Sequence, residues 1–123
     1  EQGAIVKQFT ANLAQAAATY DLCTSTGAVL IDSLTFYVAT AGATFTSVSF
    51  QTNQTNATII MTSVEGAVAN LVAQKIVPIV FTFNQPIYLA NGQKIQYTLA
   101  GLTGTGSILV TAVYRPVSGG SIA

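Results

Sequence analysis

Apolar and polar residues alternate along most of this chain with a period of two. The stretch "SLTFYVAT" puts Leu34, Phe36 and Val38 on one face and Thr35 and Tyr37 on the other. "TSVSFQTN" sets Val48 and Phe50 against Ser47, Ser49 and Gln51, and "KIQYTL" sets Ile95, Tyr97 and Leu99 against Lys94, Gln96 and Thr98. Side chains that alternate in this way belong to half-buried strands, and β-branched and aromatic residues fill them here. "IVPIVFTF" and "SILVTAVYRP" are apolar on both faces in part, which fits strands covered twice or engaged in a subunit contact.

Turn signals interrupt the alternation at short intervals: "STGA", "TAGA", "TNQTN", "VEGA", "FNQP", "ANG" and "GLTGTG". Strands at this spacing indicate an all-β sandwich or barrel. The pattern predicts strands over 4–13, 17–25, 28–39, 45–53, 57–63, 68–74, 76–83, 87–90, 93–100 and 107–115. Two segments are ambiguous. Ile5, Phe9 and Leu13 are spaced by four, which suits a helix, but they also share a strand face with Lys7 and Ala11, and Thr10, Thr19 and Tyr20 favour extended chain. "VEGAVANLVAQ", residues 64–74, is a second helical candidate weakened by Gly66. "NQPIYLANGQKIQYTL", residues 84–99, reads as a hairpin in which Asn91-Gly92 supplies the positive φ angles of a tight turn. Residues 1–12 form an arm or first strand, 13–117 the domain, and 118–123 a flexible tail, since Gly119 and Gly120 disfavour a packed element.

The chain of 123 residues makes one domain, large enough to hold a core without metal or disulfide. Its charge is the unusual property. Only 7% of residues are charged, four basic and four acidic, where a soluble domain has about 25%. Lys7, Lys75, Lys94 and Arg115 are scattered and balanced by Glu1, Asp21, Asp32 and Glu65, so no basic face is available for nucleic acid. A chain with no net charge is poorly protected against association, and much of its surface is expected to be covered by partner subunits.

Catalysis has little to work with. Histidine is absent, and with it the usual general base and commonest metal ligand. Cys23 has no histidine partner and suits a small buried hydrophobe. Asp21 and Asp32 could meet across neighbouring strands, as a glycosidase pair requires, but solvent-facing or locally bonded carboxylates fit the pattern better. No calcium loop or phosphate loop occurs, and no apolar run approaches a membrane span. The expectation is a protein that is not an enzyme and takes no cofactor, metal or small-molecule substrate. Asn53-Gln54-Thr55 and Asn56-Ala57-Thr58 match glycosylation sequons and read more simply as a polar loop. Tyr20, Tyr37, Tyr88, Tyr97 and Tyr114 leave a carbohydrate-binding β-sandwich, or a fibre subunit, as the alternative function.

Two stretches carry a resemblance. "TYDLCTSTGAVLIDSLTFYV", residues 19–38, resembles small tailed-phage virion proteins in which a Leu-x-Thr-x-Thr-Gly turn leads into an apolar strand. "QPIYLANGQKIQYTL" resembles the late hairpin of jelly rolls, the tumour necrosis factor-like trimers among them, although Gln93 stands where that turn commonly has an acid. With its low charge and Thr-rich strands, the chain looks like a phage capsid decoration, or cement, protein. The resemblance implies an antiparallel β-sandwich, a jelly roll of about eight strands. It implies a homotrimer on the outer surface of the virion, bound to the major capsid protein at three-fold positions. The trimer core is then expected at Phe83, Tyr88, Tyr97, Leu99 and Val113. The capsid contacts are expected at Ile5, Lys7, Phe9, Arg115 and Val117, from the N-terminal arm and the C-terminal segment.

Overall fold

The computed structural model describes residues 3–79 and 86–123. It is an all-β, antiparallel structure of five strands: β1 (Ile5–Asn12), β2 (Thr19–Thr52), β3 (Ile59–Met61), β4 (Ile87–Leu89) and β5 (Lys94–Ile122). The order across the sheet is β1-β5-β2-β3, with β4 on β2. The only helical element among the described residues is a 3-10 turn at Val68–Asn70.

One ladder dominates. Residues 25–52 of β2 run antiparallel to 122–95 of β5, from Ser25↔Ile122 to Thr52↔Ile95. A straight ribbon of that length would measure roughly 90 Å, while a domain of this size has a radius of gyration of about 14 Å. The ribbon must therefore fold over. It does so where the register slips repeatedly, between Val38 and Ser47 on one strand and Ala100 and Ile108 on the other. Glycine makes the bend possible. Gly101 has φ +95°, and a Cβ at Gly104 would overlap the Ala43 carbonyl. Thr44, in the same corner, holds φ 79°, a region a β-branched residue rarely enters.

Folding over brings the ends of the ribbon together. Residues 19–24 of β2 pair with the start of β5, from Thr19↔Thr98 to Thr24↔Lys94. One residue later the partner becomes Ile122. Thr24 N donates to the Ala123 carbonyl and Ala123 N to that of Thr24, while Ser25 N donates to the Gln93 carbonyl. Both ends of β5 are thus held at Thr24–Ser25. Between the two halves lies the core. Phe36 from one half meets Phe50 from the other with ring centroids 4.8 Å apart, and Tyr97 and Tyr20 extend the aromatic row. Ile31, Val38, Val48, Ile95, Leu99, Ile108 and Val110 close around them, all buried.

Several expectations change. The strands predicted at 17–25, 28–39 and 45–53 are one strand, as are those at 93–100 and 107–115, while 68–74 holds the 3-10 turn and 76–79 forms only an isolated bridge, 80–83 lying outside the described residues. The ten predicted strands, and the jelly roll's expected eight, become five among the described residues. Gly27, Gly42, Gly104 and Gly106 bend the chain without taking it out of the ladder, so the turn signals mark kinks in place of breaks. The tail expected to be flexible is the end of β5. Ile122 is buried, and Gly120 lies so close to the Ala28 backbone that no side chain would fit. The helical reading of 64–74 fails because Gly66 packs against the Val48 carbonyl, leaving only the 3-10 turn. The N-terminal segment is extended, as its threonines favoured.

The segment 84–99 is also not a hairpin. β4 pairs with residues 29–31 of β2 and not with β5. Gly92 has φ +83° while Asn91 does not enter the positive region, and Gln93 N donates to the Ala90 carbonyl at 3.0 Å, the type II pattern. The turn is pinned to the ribbon end, with Gly92 N donating to the Ser25 carbonyl and Gly27 N to Asn91 Oδ1. The Oε1 of Gln93 accepts from Ala90 N and Gln54 Nε2.

The corner and the closure make stability sensitive to single residues. Gly104→Ala loses about 1–3 kcal/mol by overpacking, and Ile122→Ala about 2–5 kcal/mol as a buried truncation, both read as lower urea midpoints. Thr44→Asn, by contrast, relieves the left-handed residue and raises the midpoint by about 1 kcal/mol.

Candidate functional site

Most of the charged side chains among the described residues are committed to structure. Lys94 Nζ donates to Asp21 Oδ2 at 2.7 Å, and Gln96 Nε2 to Asp21 Oδ1 at 2.8 Å. Arg115 holds Asp32 with two parallel bonds of 2.8 Å from its guanidinium. These donors keep both carboxyls below the usual aspartate range, Lys94 being the largest influence on Asp21 and Arg115 on Asp32. The two aspartates each face a cation and not one another, so the paired-carboxylate arrangement is not assembled. Glu65 Oε1 accepts from the backbone and hydroxyl of Thr62, closing the loop that leads to Gly66. Burial pushes the Cys23 thiol up to about 11, far from a reactive thiolate. Among the described residues no group of three or more His, Cys, Asp or Glu could hold a metal ion.

A groove of about 240 Å³ lies between Leu34–Phe36 and Ile76–Ile79. Its lining has no ionisable side chain, so it offers shape and apolar contact but no acid, base or nucleophile. In the loop after β2, Asn53 Oδ1 accepts from Lys94 N and Gln54 Nε2 donates to the Tyr88 carbonyl. The asparagine of the first sequon is therefore already part of the framework.

What remains is surface. On the outward face of the sheet, register places Thr10, Leu109, Tyr37 and Ile76 in one row, and Val6, Val113 and Ser33 in another. Between them run Gln8, Thr111 and Thr35. Tyr37 and Ile76 are 36% and 60% exposed, and Val6 67%. No charged residue stands in these rows. Near the end of the sheet the Arg115–Asp32 pair is the first charge met, and it is neutral as a pair.

The expected interface residues divide. Tyr97 and Leu99 are buried within the chain, and the Tyr97 hydroxyl accepts from Asn12 N and Gln15 Nε2. Their alternation marks a buried face correctly, but that face turns to the chain's own core. Tyr88 is half exposed on β4, Val113 half-buried beside Val6, and Phe83 lies outside the described residues. Ile5, Lys7 and Phe9 lie along β1 and share one end of the sheet with Arg115 and Val117. Lys7 donates to the Ile122 carbonyl and stands over the Phe9 ring, while Arg115 is held by Asp32. Ile76, beside Tyr37, and Leu102 at the corner are exposed apolar positions that sequence reasoning did not single out. The outward place of Tyr37 was readable from its alternation with Phe36 and Val38, but nothing in the sequence sets residue 76 beside it.

The titrations have measurable consequences. Depressed carboxyls add stability above their ordinary value of 3.8 and lose it as pH falls through the lower folded value. With no histidine, the urea midpoint should be level from about pH 5 to 8 and fall only in acid. Cys23 should react with thiol reagents at pH 8 only as fast as the protein unfolds, far slower than a free thiol. Comparison with protein-family models and with curated proteins finds no match to this chain.

Proposed function

We propose that this chain is a structural protein of a phage head, a jelly-roll protomer that forms a homotrimer and binds the major capsid protein on the outer surface of the shell at three-fold positions. The observation that carries the reading is the outward sheet face, an uncharged strip of Thr, Ser and Gln with Leu109, Tyr37 and Ile76 along one row. A face without charge is easily desolvated against protein and has no groups for drawing in an ionic substrate. The engagement of Asp21, Asp32 and Cys23 in the framework points the same way, toward a load-carrying module and away from catalysis.

The jelly-roll assignment rests on the folded ribbon. Two halves of a single antiparallel ladder meet through Phe36 and Phe50, and the layered core of a β-sandwich would be built in this way. The trimer contact is best assigned to Tyr37, Ile76, Leu109 and Val113, since Tyr97 and Leu99 are spent inside the protomer. Bound to several shell subunits at once, each trimer would hold through many modest contacts.

Light scattering tests the reading directly. Units of about three times the 12.7 kDa chain mass are expected, and they should bind emptied phage heads. Ile76→Asp should break the trimer to monomers without changing the far-ultraviolet spectrum. A wild-type chain that is not built from trimers and binds a glycan array, losing that binding on Tyr88→Ala, would establish the carbohydrate-binding alternative instead.

A further inference from the structure

β1 is the end strand of the sheet, and among the described residues it pairs with β5 alone. Its other edge presents a row of backbone N–H and C=O groups from Ile5 to Thr10, roughly 20 Å long, ending where Asn12 N donates to the Tyr97 hydroxyl and the Asn12 carbonyl accepts from Gln15 Nε2. Soluble proteins guard such an edge with a proline, a bulge or a charged side chain. β1 has no proline and no bulge, and its one charge is engaged within the chain. Its register runs unbroken from Ile5↔Tyr114 to Asn12↔Ser107, and it holds neither proline nor glycine. Its single charged residue is turned away, with Lys7 Nζ donating to the Ile122 carbonyl at 2.8 Å and lying 5.9 Å from the centre of the Phe9 ring. The outward side chains are Val6, Gln8 and Thr10, all exposed.

We infer that the free edge of β1 is a strand-pairing site for a second copy of this chain, met antiparallel across a two-fold axis centred on Gln8. In such an interface residue i meets j and j meets i. Side chains opposite one another must share a face, so Val6 would stand opposite Thr10, Lys7 opposite Phe9, and Gln8 opposite Gln8. No lysine stands directly opposite its own copy; the two Lys7 residues are diagonal neighbours, and each ammonium is already held by its own chain's Ile122 carbonyl and Phe9 ring. The glutamine amide is both donor and acceptor and can bond its own copy. Lys7, already above one aromatic ring, comes beside the partner copy's Phe9, a favourable neighbour for a cation. A charged strand from another protein would find no counter-charge here to select it. An identical uncharged strand needs none. The inference does not depend on the three-fold reading: trimers would be joined to neighbouring trimers through these edges, and monomers would be joined in pairs.

Sedimentation equilibrium on the full chain decides it, comparing wild type with Gln8→Lys over a wide concentration range. The substitution sets two ammonium groups face to face on an exposed position that the core does not use. The expected result is a wild-type mass that climbs with concentration above that of Gln8→Lys, about twofold where one edge per unit is engaged. Because Gln8 borders the strip assigned to the trimer, the comparison is repeated in an Ile76→Asp background, where monomers should still pair through β1 and Gln8→Lys should abolish that pairing. Gln8→Cys should cross-link between chains under mild oxidation, far faster than Thr103→Cys at the exposed corner. Equal masses for wild type and Gln8→Lys, or cross-linking of Gln8→Cys no faster than the control, would overturn the inference. Should Gln8→Lys fold poorly, Gln8→Glu asks the same question with two carboxylates face to face.

Discussion

The structure depends on a single antiparallel ladder between β2 and β5 that is far longer than the molecule is wide. Backbone pairing of this extent satisfies its own hydrogen bonds wherever it goes. The remaining problem is burial of the apolar face, and a ribbon can bury that face only by closing on itself. The corner at residues 40–47 and 100–107, the core between Phe36 and Phe50, and the meeting of both ends of β5 at Thr24–Ser25 all follow from that closure. β1, β3 and β4 are additions to the edges of this frame.

The same economy explains the chemistry. A chain with so few charges uses them as fasteners. Lys94 and Gln96 fix the start of β2 to the start of β5, Arg115 and Asp32 fix the middle of the ribbon, and Lys7 ties β1 to the end of β5. Each of these joins segments distant in sequence. The outward faces are left to threonine, serine, glutamine and isolated apolar side chains, which suit contact with protein.

Much of this was legible in the sequence. The period-two pattern identified the strands, and the parity of Phe36, Val38, Val48, Phe50, Ile95 and Tyr97 identified the buried face. Strand count was not legible, because a glycine at a register slip and a glycine in a turn look alike along one strand. Only the partner distinguishes them: Gly27 stays in the ladder opposite the Ala28–Val117 region, whereas Gly92 leaves it. The Asn-Gly pair misled for a related reason, since a hairpin signal describes the turn and says nothing of where the first strand pairs. Parity likewise told that Tyr97 and Leu99 face inward, but not whether inward meant the core or a neighbouring subunit. The exposed pair of Tyr37 and Ile76 was hidden because it joins segments thirty-nine positions apart through one bridge.

The order of the strands along the chain has a consequence for how the protein is made. β2 leaves the ribosome without a partner, because its complement β5 begins only after residues 53–93 have been synthesised. Through that interval the longest strand of the molecule has only the short β3 and β4 to pair with, and most of its apolar face is uncovered. Folding therefore waits on a late, non-local encounter and is expected to be slow for a chain of this size. The threonines and serines interleaved through β2, which look like mere surface in the finished fold, are also what keeps the waiting strand soluble until its partner arrives.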